Sequence, residues 1–409
     1  MSTSTSQRLH ALDAVRGGAL MLGIVLHAAI SFMPGMVFWP TTDNQTSEVF
    51  NLVFYIPHMF RMTLFFFIAG FFARMSFHKK GSFSFAKDRF KRVVLPMAVF
   101  WAPLFAAIVA AYIWGAIKAN GGEVPEDDGT PPSFGLRTFP LAHLWFLYLL
   151  VFFYAASFAI KAAASLIDRN QSIRRLIDGL IRFLLATPFG LLLIAAPLIV
   201  SFWTHPMWIG WFGIPTPDYG FIPNNTALIA YGSAFVLGWL IQRQTDLLMA
   251  LKNQWWIYLA LAAGLTGLCL KLAGVAIAFQ PAQQTMEGFI YAASYALGAW
   301  CWSFGLIGAA MSFWSKASPI RRYLADASYW LYLMHLPLVM ALQILVSDLD
   351  WPITIKFAVV LGGTMFILLA SYHWMVRPTV LGGWLNGRRH HQKNSSKDGV
   401  VSNTPSLQP

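Results

Sequence analysis

Long apolar runs separated by short polar connections dominate this chain. They lie at about 9–33, 49–75, 93–115, 141–161, 183–203, 225–241, 255–278, 288–312, 329–347 and 354–376. The runs are apolar on all sides, unlike a half-buried strand or the single stripe of a surface helix. About 20 such residues let an α-helix cross a bilayer. The pattern therefore predicts an all-α fold: a polytopic membrane bundle of about ten helices within residues 1–385. A polar tail at 386–409 follows, with the composition of a disordered segment.

Ionisable residues interrupt the runs at a few places. The first run, LHALDAVRGGALMLGIVLHAAISF, holds Asp13, Arg16 and His27. Such residues are costly in a membrane, so they face a bundle interior or a wet cavity and mark function. Arg16 and His27 are eleven residues apart, or roughly 16 Å along a helix and close to three full turns, which puts both on one face. Asp13 and Arg16 have the i,i+3 spacing of an ion pair, which lowers the cost of burial. His58 and Arg61 share a face of the second run at the same spacing.

Histidines recur further on. His143 opens HLWFLYLL, His335 lies in YLMHLPL and His373 near the end of the last run. Each also has a purely structural reading. His143 and His373 fit interfacial positions, and His335 could bond a carbonyl freed by the following proline. Depth along the runs suggests two layers: His27, His58, His143 and Arg61 toward one side, and Asp13, Arg16 and His335 toward the other. An imidazole is the side chain best suited to take a proton near neutral pH, which makes His27 and His58 the sharpest candidates.

Composition agrees with a membrane protein. Only 11% of residues are charged, against about 25% in soluble domains, and 57% are hydrophobic. The formal net charge of +12 does not indicate nucleic acid, because the cations follow a topology rule. Most lie in alternate connections, such as Arg74–Arg92, Lys161–Arg182 and Lys316–Arg322, while acidic residues such as Asp43, Glu123–Asp128, Asp218 and Asp348 fill the others. The positive-inside rule then puts both termini in the cytoplasm. The N-terminal segment reads as a retained first helix and not a signal peptide, since Asp13 and Arg16 interrupt its apolar run.

Other stretches leave two readings open. The aromatic, Pro- and Gly-rich segment Trp203–Asn225 is an interfacial loop or a sugar-stacking lip. The run His78–Arg92 interleaves Phe with cations, as interfacial helices do, and could also attract an anionic ligand. Cys269 and Cys301, both inside apolar runs, read as buried thiols and not as a disulfide or metal site. No hydrolase elbow, zinc-protease, Walker or dinucleotide motif is present, and no bound metal or cofactor is expected.

Arg16 followed by ten residues and His27, then HMFRMTLFFFIAGFF, RFKRVVLP, HLWFLYLL and ASYWLYLMHLPL in that order, resembles the acyltransferase-3 family of integral membrane acyltransferases. The resemblance runs from Leu9 to about Arg377 and is similar in set and order to the branch that succinylates osmoregulated periplasmic glucans in Gram-negative bacteria. It implies a multi-pass protein of the bacterial inner membrane. The donor would be a cytoplasmic acyl-CoA, succinyl-CoA or acetyl-CoA, used as co-substrate. The acceptor would be a hydroxyl of periplasmic glucan or a related polysaccharide. By motif, His27 would be the catalytic base, with His58 and Arg61 beside the reacting centre and one of them steadying the oxyanion. Arg16 would be a donor-site or structural cation, with Asp13, His143 and His335 in the substrate-binding set. Two other readings stay open: O-acetylation of another envelope polysaccharide, and a transporter using the same intramembrane groups.

Overall fold

The computed structural model describes residues 3–124 and 134–386. The polar tail beyond Asn386 and the acidic residues Glu126, Asp127 and Asp128 lie outside the described residues. Thirteen α-helices follow in chain order: α1 Thr3–Ala29, α2 Glu48–Lys80, α3 Ser82–Arg89, α4 Leu95–Ala119, α5 Trp145–Ile167, α6 Ser172–Ala186, α7 Pro188–Trp203, α8 Asn225–Ile241, α9 Leu247–Ala273, α10 Met286–Phe313, α11 Pro319–Val346, α12 Ile353–Ser371 and α13 Val380–Asn386. Among the described residues, eight helical segments are long and apolar enough to cross a membrane, and nine if α6 and α7 form one broken span. The all-α polytopic bundle expected from the apolar runs is therefore what forms.

Three expected spans look different in detail, the first being the run at 225–241, which forms α8, a shorter apolar helix of 17 residues. The run at 183–203 is divided between α6 and α7, which meet at 106°. The cause is local: Pro188 disfavours helical backbone at Thr187, which is extended at φ −112°, ψ 145°. The run at 329–347 belongs to a helix that starts ten residues earlier, at Pro319. Ser318 caps it by accepting from the Arg321 amide, and proline suits the first helical position. The polar turns around Arg321, Arg322 and Asp326 are thus helical, which moves everything after them deeper along the helix.

Helices α1, α2, α10 and α11 form the centre. In α2 and α10, 67% of the most apolar window is buried, whereas in α5 and α9 the share is 17%, which leaves those two at the rim. Glycine permits the closest approach. A Cβ on Gly70 would collide with the Phe235 carbonyl, and one on Gly238 with the Phe67 carbonyl, so α2 and α8 meet backbone to backbone. Small residues drive helix association in membranes in this way, because apolar burial alone favours no partner over lipid.

The loops at the C-terminal end of α1 form one connected layer. The Asn44 amide bonds the Ser347 carbonyl, Leu141 bonds Asp218, and Ala282 bonds Trp208. Beneath them lies a buried ion pair, Lys356 Nζ to Asp43 Oδ1 at 2.8 Å, with both side chains at 1% exposure or less. Lys356 also donates to the Asn44 side chain and to the Ser347 carbonyl. This pins the 33–47 loop across the end of the bundle, and that loop carries Trp39.

Candidate active site

A chamber of about 1180 Å³ opens among these loops and descends between the central helices. It brings together five of the seven residues singled out in the sequence: His27, His58, Arg61, His143 and His335. Its deepest α1 residues are Ala19 and Leu20. Asp13 and Arg16 do not line it. They form the expected i,i+3 ion pair at 3.2 Å, and Arg16 also lies over the Phe72 ring, 5.6 Å from its centroid. Arg16 is one turn below the chamber floor at Ala19.

His335 departs from its expected place. It sits with His27 and not with Asp13 and Arg16. The early start of α11 is the reason: sixteen residues precede His335 in that helix, about 24 Å of rise. Its Nδ1 lies 2.7 Å from the Tyr332 carbonyl, which can only accept, so Nδ1 carries the proton. In the neutral ring Nε2 must then accept, and its partner at 3.0 Å is His27 Nδ1. His27 therefore donates through Nδ1 and keeps its lone pair on Nε2, and the ring also bonds back to the Gly23 backbone. One carbonyl thus fixes the tautomer of two imidazoles and turns a basic nitrogen toward the chamber.

The frame around His27 is fully bonded. Gln343, buried in α11, donates to the His27 carbonyl at 2.9 Å and the Ala28 carbonyl at 3.1 Å, which caps the end of α1. Its side-chain oxygen accepts from Trp39 Nε1 at 2.8 Å. Trp39 lies parallel to the His27 ring, with centroids 6.1 Å apart.

His143 acts as a clasp. Its Nε2 donates to the Leu333 carbonyl at 2.9 Å. That carbonyl lacks its helical partner because Pro337, four residues on, has no N–H. The freed carbonyl anticipated near His335 exists, and His143 is the residue that satisfies it. In return, the Tyr332 hydroxyl donates to the His143 carbonyl. The preceding residue, Ala142, has φ +47°. This left-handed conformation costs a non-glycine residue about 1–2 kcal/mol. The two bonds to α11 hold it in place.

His58 donates through Nε2 to the Phe212 carbonyl at 2.9 Å and stacks on Phe54, with centroids 5.0 Å apart. While neutral it can only accept from the chamber, so it is not the donor that an oxyanion needs. Arg61 is different. Its Nε is buried without a hydrogen-bond partner, and no carboxylate among the described residues pairs with its guanidinium. Its Nη1 rests against α1 at Gly23, where a Cβ would collide with it. Arg61 interacts electrostatically with the Tyr231 and Tyr332 hydroxyls and with His27.

Sequence reasoning missed Tyr231, Tyr332, Trp39 and Gln343. Nothing marked the two tyrosines or Trp39 apart from other aromatics. Gln343 left a readable signal, an amide inside an apolar run. At the chamber mouth, burial pushes the Asp218 carboxyl above its ordinary range. Asp218 is the only carboxylate lining the chamber among the described residues, against Arg61, Arg137 and five histidines.

The family model for an acyltransferase domain matches residues 9–373. The chain belongs to the acyltransferase-3 family. It is also similar to the proteins named glucans biosynthesis protein C of Shigella dysenteriae serotype 1 (strain Sd197) and of Escherichia coli strain K12. Each is 31% identical over 153 residues, or 37% of this chain and 38% of the relative. The matched stretch thus spans well under half of the curated relatives' length. No solved structure matches the chain.

Proposed function

We propose that this protein is a membrane-embedded O-acyltransferase of the bacterial inner membrane. It moves an acyl group, succinyl, from cytoplasmic acyl-CoA to hydroxyls of a periplasmic glucan. The observation that carries this reading is the His27–His335 pair, which presents an uncommitted Nε2 to a large chamber open at the loop end. The cation distribution supports a reading in which that end lies outside the cytoplasm, the side on which a polysaccharide acceptor would enter. The donor comes from the other end, where Arg16 lies one turn below the chamber floor and the cations of α3 follow.

In this reading the acceptor hydroxyl gives its proton to His27 Nε2 as its oxygen attacks the thioester carbonyl. The imidazolium forms with its Nδ1–H already directed at His335, so its charge meets a positioned acceptor. Two donors facing the chamber remain uncommitted, the Arg61 guanidinium and the Tyr231 hydroxyl, and one of them meets the tetrahedral oxyanion. The carbon–sulfur bond then breaks, the thiolate of CoA takes the proton from His27 Nε2, and the sugar ester leaves by the mouth. No metal or cofactor enters these steps.

The test is CoA release by purified protein in proteoliposomes, with succinyl-CoA or acetyl-CoA, with and without periplasmic glucan. Glucan-stimulated release from succinyl-CoA, lost in His27→Ala at equal folded yield, is expected. Release from acetyl-CoA alone would move the donor assignment. Activity retained in His27→Ala would overturn the assigned base.

A further inference from the structure

Arg61 is an intramembrane cation without a counter-ion, and this can be accounted for more sharply than by the oxyanion. A cation at membrane depth with no counter-ion and a buried, unpartnered Nε is costly throughout the life of the resting protein, whereas an oxyanion exists only in passing. The Arg61 Nη1 packs on Gly23, one helical turn before His27 on α1 and on the side away from the chamber mouth. The chamber wall around that level is apolar, with Ala19, Leu20, Met62 and Phe65. A neutral acyl chain would need no cation there.

We propose that Arg61 reads the terminal carboxylate of a dicarboxylic acyl donor, leaving the oxyanion to the Tyr231 hydroxyl. The inference rests on the acyl-transfer reading above. Three carbon–carbon bonds separate the two carboxyl carbons of a succinyl group, about 4 Å when extended at ~1.5 Å per bond. With the thioester carbon near His27 Nε2, that length lets the far carboxylate reach a guanidinium lying against Gly23. A guanidinium presents paired N–H groups that match the two oxygens of a carboxylate. Gly23 is then the gap that lets the guanidinium lie flat against α1.

The experiment compares succinyl-CoA with butyryl-CoA, which has the same carbon count and no charge, in proteoliposomes with glucan as acceptor. Wild type, Arg61→Gln, Arg61→Lys, Tyr231→Phe and His27→Ala are measured side by side. Arg61→Gln should lower the succinyl-to-butyryl ratio of kcat/KM by about 10- to 100-fold, the loss typical of one charge-assisted hydrogen-bond pair. Arg61→Lys should keep part of the preference, and Tyr231→Phe should lower kcat for both donors by the same factor. An equal loss on both donors in Arg61→Gln would overturn the inference, since the arginine would then serve the oxyanion or the CoA phosphates. So would a wild-type preference for butyryl-CoA. Activity surviving in His27→Ala would overturn the reaction assignment instead, in a separate arm.

Discussion

His335 should be a positioning residue whose loss appears in kcat and not in donor KM. It touches no substrate in the scheme; it accepts the Nδ1–H of His27 at 3.0 Å while its own Nδ1–H is held by the Tyr332 carbonyl. In the ground state this is a neutral hydrogen bond worth about 1 kcal/mol. As His27 takes the acceptor's proton the bond becomes charge-assisted, worth roughly 1.5–3 kcal/mol. The difference acts only in the transition state, together with loss of the correct tautomer and ring orientation. At about 1.36 kcal/mol per factor of ten, the bond alone accounts for roughly two- to thirtyfold, and with the tautomer lost as well His335→Leu should lower kcat by about ten- to thirtyfold. His335→Gln places an amide oxygen near the former Nε2 and should recover part of the loss. Steady-state CoA release with saturating glucan gives kcat and donor KM separately. A kcat for His335→Leu within twofold of wild type, at equal folded yield, would refute the reasoning. So would a purely KM effect, because the pair would then hold substrate and not the base.

Two further substitutions test the frame. Gly23→Ala should raise helix propensity by about 1 kcal/mol yet displace the Arg61 guanidinium, so the protein should be no less stable to heat while its preference for succinyl-CoA over butyryl-CoA falls. Lys356→Met leaves Asp43 buried without its partner and should destabilise the fold by about 3–5 kcal/mol, read as a lower unfolding temperature in detergent. Adding Asp43→Asn should recover much of that loss, since it is the uncompensated charge that destabilises.

The fold was legible because each helix has to satisfy its backbone within itself in a membrane, so span length and apolarity nearly dictate the element. The i,i+3 pair Asp13–Arg16 was legible for the same reason of locality. His335 was misplaced because a run of apolar residues marks where a helix is buried, not where it begins. The sequence S-P-I-R-R at 318–322 carried the true start, a serine cap with proline at the first position, ahead of the apolar segment. Beginning α11 there lifts His335 by ten residues and carries it from one end of the bundle to the level of His27.

The contacts that make the site chemical join residues hundreds of positions apart, and no periodicity encodes them: His27 to His335, Trp39 to Gln343, His143 to Leu333. One of the three was nevertheless partly foreseeable. Pro337 must strand the Leu333 carbonyl, and a stranded carbonyl in a membrane helix demands a donor from elsewhere. His143 supplies it, and Tyr332 returns a bond to the His143 carbonyl, so the helix break and the clasp are one device. That device sits two residues before His335 on α11. The proline that would weaken an isolated helix here fixes the rotation and depth of the segment that bonds His27. Replacing Pro337 with alanine would restore the Leu333 bond within α11 and leave His143 Nε2 without its acceptor. The substitution should therefore favour the helix and slow the reaction together. A gain in thermal stability with unchanged kcat would mean that the clasp does not set the His27–His335 geometry.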